Sequence, residues 1–252
     1  MYLRMVEASV KKEAEQRLAE IYSDKIISSL ESTPGCIFAG LLHSQDQLDR
    51  YISLTIWSSE KVANSYVQSG KFEQNLESIQ HMLEKGSEWK IQLSSENKVE
   101  YVPVPAEPEV KSYPAVIDEE TIPRKVPVGR RYLRILSLKI NKGKKEEFSR
   151  VYEKEILPQL KKISGCRYAF LLDNSEYNGE MISLTIWDDL KSIETYEEQG
   201  KFKSFLYKVN HTLGGLYHWK MAAEKQSKFS KTVTSQDIGI SKFTMVTSKD
   251  FR

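Results

Sequence analysis

Two of the four histidines, His81 and His211, stand 130 residues apart in matching surroundings. Imidazole is the side chain best suited to moving a proton near neutral pH, so these two are the candidate acid-base groups. His43 and His218 have no such match. Taking Phe72 as origin, rotation by about 100° per residue puts His81 about 180° from the neighbouring apolar stripe, which favours a solvated imidazole over a catalytic one. Cys36 and Cys166 match in the same way, each following a Gly. Two thiols make no disulfide framework and lack nearby ligands at zinc spacing, so they read as small buried residues at strand starts. The sequence holds no Gly-rich phosphate loop, nucleophile elbow or clustered metal ligands.

The matched residues belong to a duplication. A shift of 130 residues, without gaps, superposes Tyr2-Leu3-Arg4 on Tyr132-Leu133-Arg134, Gly35-Cys36 on Gly165-Cys166, and "ISLTIW" at Ile52 on "ISLTIW" at Ile182. It also superposes "GKF" at Gly70 on "GKF" at Gly200 and Trp89-Lys90 on Trp219-Lys220, and roughly 28 of about 90 positions are identical. A period this long means two whole domains rather than a solenoid.

Each copy predicts the same elements. "YLRMVEASV" reads as a strand, and Leu18, Ile21, Tyr22, Ile26 and Leu30 form a helical stripe that Pro34-Gly35 ends. "CIFAGLLHS" and "RYISLTIW" read as a hairpin, and Glu60 opens a short helix that stops at Gly70. Phe72, Leu76, Ile79 and Leu83, with Phe202, Leu206, Val209 and Leu213, lie on one stripe of a further helix. "EWKIQL" and "HWKMAA" are the expected last strands. The order is strand, helix, strand, strand, helix, strand: an α+β chain of two ferredoxin-like domains.

The expected boundaries are 1–94 and 131–223 for the domains, 95–130 for a linker with six of the eight prolines, and 224–252 for a tail. "KVEYVPVP" in the linker and the β-prone tail are candidate edge strands. Along "ISLTIW", Ile52, Leu54 and Ile56 share one face while Ser53, Thr55 and Trp57 share the other, so both faces call for burial. Helices cover one, and the second copy supplies cover for the other.

With 37 basic against 35 acidic residues, charge offers no footprint for nucleic acid or a membrane surface. No run reaches the roughly 20 apolar residues of a membrane span, and the N-terminus lacks a signal-peptide core. The expected setting is the cytoplasm, with a small-molecule ligand, no nucleic-acid or membrane partner, and further self-association through uncovered edges.

The Gly before an apolar strand, "ISLTIW", the Ser/Asp helix start, the Tyr followed by "GKF", and a closing strand together resemble the antibiotic biosynthesis monooxygenase domain of the dimeric α/β-barrel superfamily. The likeness covers about 90 residues of each copy. It implies that the two domains, elsewhere supplied by separate chains, pair sheet to sheet within this one as an intramolecular dimeric barrel. It also implies a cofactor-independent oxygenase for aromatic or quinonoid molecules, with no metal, whose pocket comprises Trp57, Trp187, Ser53, Ser183, Tyr66 and Tyr196. Some such oxygenases carry Asn where this chain has Ser53 and Ser183. Haem-degrading relatives need a His about ten residues after the Trp, where this chain has Val67 and Glu197, and an Asn in the first strand, where it has none; Asn141 lies beyond the strand. The alternative is a non-catalytic binding or assembly module whose tryptophans are core. The copies differ at Asn64, Val67 and Asn75 against Glu194, Glu197 and Phe205, so at most one working pocket is expected.

Overall fold

Strand β1, Tyr2–Ser9, alternates its side chains between two cores, Leu3 and Met5 to one side and Tyr2 to the other. It pairs antiparallel with β3, Arg50–Trp57, in a register that runs from Tyr2 opposite Trp57 to Ser9 opposite Arg50. Between them come a helix and β2, Cys36–Ser44. The helix is one axis in three parts: α1 (Glu15–Ile21), a π turn (Tyr22–Ile26) and α2 (Ile27–Glu31). After β3 follow α3, Glu60–Gln68, capped by the Ser59 hydroxyl, and α4, Lys71–Glu77. The computed structural model describes residues 1–84, 89–93, 99–103, 108–116, 131–174, 179–214 and 238–251.

Three further strands follow in the first half: β4 (Trp89–Leu93), β5 (Val99–Pro103) and β6 (Glu109–Pro114). The second half repeats the pattern with β7 (Tyr132–Lys139), α5 (Lys145–Val151), a π turn (Tyr152–Ile156), α6 (Leu157–Leu160), β8 (Cys166–Asn174) and β9 (Glu180–Trp187). It ends with α7 (Leu190–Glu198), α8 (Lys201–Val209) and β10 (Ile238–Asp250).

Eight strands form one antiparallel sheet in the order β6-β1-β3-β2-β10-β7-β9-β8. Its two edges meet: Ala115 bridges Leu172, and the Val116 N–H donates to the Leu171 carbonyl at 3.0 Å. The sheet thus curls into a near-barrel, and the α+β fold of two ferredoxin-like halves pairing within one chain is the observed architecture. Its interior holds Ile52, Leu54 and Ile56 from one copy against Ile182, Leu184 and Ile186 from the other. At about 2 kcal/mol for each buried side chain, these six alone contribute on the order of 10 kcal/mol, which neither sheet gains by itself.

The closing strands differ from expectation. "EWKIQL" does not complete the first sheet, because β4 pairs with β5 in a separate two-stranded sheet, Trp89 opposite Pro103. Closing that short local loop costs little chain entropy, and "KVEYVPVP" is therefore β4's partner rather than an edge of the large sheet. "HWKMAA" lies outside the described residues. The fourth strand beside β1 is β6, with Leu3 opposite Tyr113; beside β7 it is β10, with Leu133 opposite Phe243. The tail was expected to add a strand to the second copy, and β10 does so. Tyr113 and Phe243 are again 130 residues apart, so the duplication continues in structure where identity has vanished.

Gly35 and Gly165 stand before β2 and β8 with φ of +81° and +82°. A Cβ on Gly35 would lie 2.6 Å from Val62 Cγ1, and one on Gly165 would collide with Ser192. Gly165→Ala is expected to lose about 2 kcal/mol, from the strained backbone and the collision together. Chemical denaturation of the variant and of Gly200→Ala, where φ is positive but the space is open, separates the two costs.

Candidate functional site

On the helix-covered face of the second half, between β7, β9 and the helices, lies a small cavity of about 20 Å³. Its apolar wall comes from Leu136, Leu138, Phe148, Ile156, Leu160, Phe202, Phe205, Leu206 and Val209. Its polar groups are few: Arg134, Tyr152, Ser183, Thr185 and Tyr196. An apolar lining with a handful of convergent polar groups is the composition of a small-molecule site.

The π turn places one of these groups. It begins at Tyr152, whose hydroxyl lies 2.8 Å from Ser183 Oγ; in the first half Tyr22 and Ser53 make the same contact at 2.8 Å. Such one-residue insertions into a helix recur at functional positions. Complete burial drives both phenols, Tyr22 and Tyr152, well above their ordinary pKa, so they are neutral hydrogen-bonding groups.

Arg134 projects from β7 and is 2% exposed. Its Nε donates to Glu197 Oε1 at 2.8 Å, and Lys242 Nζ of β10 reaches Glu197 Oε2 at 2.7 Å. The guanidinium lies 4.2 Å from the Phe202 ring centroid and 5.6 Å from that of Tyr196, a cation on two aromatic faces. Burial alone would raise the Glu197 pKa, but the Arg134 and Lys242 cations outweigh it and hold the carboxyl below its usual range. In the first half the positions of Glu197 and Lys242 are Val67 and Ser112, so Arg4 lacks this network. Phe205 is likewise replaced by Asn75, whose amide donates to Tyr66 Oη at 2.9 Å and Ser29 Oγ at 3.2 Å.

The residues singled out in the sequence fall into three groups. Ser183 and Tyr196 line the cavity. Trp187 stands behind it, fully buried, with its ring 5.3 Å from Tyr196 and its Nε1 donating to Thr185 Oγ1 at 2.8 Å. Trp57, Ser53 and Tyr66 form the equivalent set in the first half, with Trp57 Nε1 on Thr55 Oγ1 at 2.9 Å and its ring 5.0 Å from Tyr66. His81 and His211 are exposed on short turns after α4 and α8, and His211 Nε2 lies 2.8 Å from Glu147. The fold does not bring either imidazole to the cavity lining. Among the described residues no three His, Cys, Asp or Glu side chains converge as a metal site.

Arg134 escaped the sequence reading, although "YLR" is among the residues that align between the copies. An Arg inside a buried strand is the signal, since an ion there needs a partner. Cys36 and Cys166 are buried, and desolvation pushes each thiol up to about 12. Neither should react with a disulfide reagent at pH 8 in the native protein, while two thiols should react in denaturant; a colorimetric thiol count with and without guanidinium checks this.

A family model described as antibiotic biosynthesis monooxygenase matches residues 1–77 and again 131–207. The chain belongs to that family. The two matches fall on the two halves of the barrel, each reaching from its first strand into its last helix. No curated protein matches this monooxygenase-family chain in sequence. Among solved structures, a candidate monooxygenase of Fusobacterium nucleatum superposes with a TM-score of 0.68 at 9% identity, over 99% of this chain and 94% of that one. A candidate monooxygenase of Lactobacillus acidophilus gives 0.66 at 8% identity, over 99% and 96%. An anthrone oxidase-like protein gives 0.57 at 11%, over 99% and 93%. Identities this low establish a shared two-domain fold and leave the chemistry to the site. No helix among the described residues is long and apolar enough to cross a membrane.

Proposed function

We propose that this monooxygenase-family protein binds an aromatic or quinonoid small molecule in the second-half cavity and oxygenates it without a metal or other cofactor. The observation that carries the reading is the cavity itself, whose lining combines the aromatic rings of Phe148, Tyr152, Tyr196, Phe202 and Phe205 with the Ser183 hydroxyl. Flat ligands stack on such walls, and one hydroxyl fixes their orientation. About 20 Å³ holds a single water, whereas a benzene ring occupies a cavity of roughly 150 Å³. Ligand entry therefore displaces wall side chains, three of which, Phe202, Phe205 and Leu206, stand on α8. Trp187 acts as the rigid backing of Tyr196, and His211 has no part in the chemistry.

Intrinsic tryptophan fluorescence, titrated with hydroxylated aromatics and quinones, tests the reading. Saturable quenching is expected in the native protein and in Ser53→Leu, and is expected to vanish in Ser183→Leu, which fills the cavity. Ligands that bind are then carried into an oxygen-uptake assay. Flat titrations across the panel would favour the second reading, a non-catalytic barrel module, which the full burial of Trp57 and Trp187 supports.

A further inference from the structure

We infer that Lys242 is a positioning residue for the second-half cavity, and that through it the first half of the barrel fixes the orientation of Arg134. The inference goes beyond the proposed function and rests on it only in taking the cavity as the binding site. Lys242 belongs to β10, the strand hydrogen-bonded to both halves. Its backbone carbonyl accepts a hydrogen bond of 2.8 Å from the N–H of Gln45, in the turn between β2 and β3. The Gln45 side chain adds a second tie, Nε2 donating to Thr244 Oγ1 at 2.6 Å. The Lys242 side chain serves the second half: Nζ donates to Glu197 Oε2 at 2.7 Å, and Glu197 Oε1 accepts from Arg134 Nε at 2.8 Å. A continuous set of contacts thus links a first-half turn to a guanidinium that lines the cavity.

The first half shows the same guanidinium without this support. Arg4 is the counterpart of Arg134, and Val67 and Ser112 stand where the second half has Glu197 and Lys242. Arg4 lies over the Phe72 ring at 4.6 Å, and its Nε is buried with no hydrogen-bond partner among the described residues. A ring face attracts a guanidinium without fixing the direction of its N–H groups, whereas a carboxylate on Nε does fix it. Lys242 supports that carboxylate in two ways. It occupies one oxygen and leaves the other to Arg134, and, with Arg134, it keeps the carboxyl ionised against the burial that would neutralise it. The Lys242 and Glu197 side chains are 22% and 15% exposed, so water screens their pairing and its weight falls on orientation more than on stability.

The test is NMR of the full chain with isotope-labelled arginine and glutamate side chains, which needs no ligand. In the native protein the Arg134 Nε proton is expected to exchange slowly with water. Lys242→Met should speed that exchange about tenfold, as local opening becomes easier, and raise the pH at which Glu197 titrates. The melting transition should move little, and Lys242→Arg should restore both NMR readouts. Thr244→Val and Gln45→Pro, each removing one first-half contact, should also quicken the exchange, although neither touches Glu197. Fast exchange in the native protein, or no change in Lys242→Met, overturns the inference, as does a change that Lys242→Arg fails to recover. If both first-half variants leave the Arg134 proton unaltered, the part given to the first half is refuted. Fluorescence quenching by 1,4-naphthoquinone assays the proposed function separately: its absence in the native protein counts against that reading, while the exchange data still decide the role of Lys242.

Discussion

A chain ending at residue 237 is expected to lose its cooperative thermal transition as a monomer. The deleted strand, β10, is the fourth strand of the second half and also the seam to the first. It pairs with β7 from Ile238 opposite Leu138 to Thr244 opposite Tyr132, and with β2 from Phe243 opposite Ser44 to Asp250 opposite Phe38. Phe243 is fully buried and Met245 is 3% exposed, both in the barrel interior. Losing one buried Phe costs about 3 to 5 kcal/mol, a large part of the 5 to 15 kcal/mol that holds an ordinary domain together. Two strand edges would also be left open, which invites pairing between chains. Circular dichroism melts and size-exclusion chromatography are the checks; a monomer with an undiminished melting transition would refute the role given to β10.

Glu197→Ala is expected to cost about 3 kcal/mol or more, because it strands the Arg134 guanidinium in the interior. For a chain of this size that lowers the melting temperature by on the order of 10 °C. The pH dependence has a definite sign. The Glu197 carboxyl is held below its usual range in the folded protein, so its stabilising contribution is complete above the unfolded carboxylate pKa of about 4.5 and is lost as pH falls through the lower folded value. Stability measured by denaturant titration from pH 7 to pH 3 should therefore fall more steeply in the native protein than in Glu197→Gln, which has no carboxyl to protonate. Parallel acid limbs would mean that the pair contributes nothing. The same substitution made at the first-half position is not possible, since Val67 stands there; Arg4 is instead stacked over Phe72 at 4.6 Å.

Several elements were legible because they follow from local pattern. The period-2 alternation of "ISLTIW" assigned Ile52, Leu54 and Ile56 to one core and Trp57 to another, as found. The stripe from Leu18 to Leu30 gave the first helix, and Gly70 ended α3. The π turn at Tyr22–Ile26 escaped, since one extra residue in a helix leaves the apolar stripe nearly unchanged. Strand β4 was misplaced because "EWKIQL" and "EVKSYP" are both competent strands, and the choice depends on which partner each finds. The outward projection of His81 from its stripe agrees with its exposed position.

The candidate site was less legible than the fold. Ser183 and Tyr196 were reached through family resemblance, whereas Arg134 and Glu197 are 63 residues apart and their pairing exists only once β7 and α7 are packed. Lys242, on a strand expected merely as an edge, completes the network from 45 residues further along.

The amino-acid sequence by itself determined the duplication, the element order within each half and the two-faced strands that require a second sheet, because these depend on residue types at short and regular spacing. The tertiary structure alone decided which segments fill the fourth-strand positions, and how Arg134, Glu197 and Lys242 come together beside the second-half cavity. Those outcomes rest on contacts between residues far apart in the chain, where a single exchange such as Val67 against Glu197 alters the electrostatics without altering the pattern.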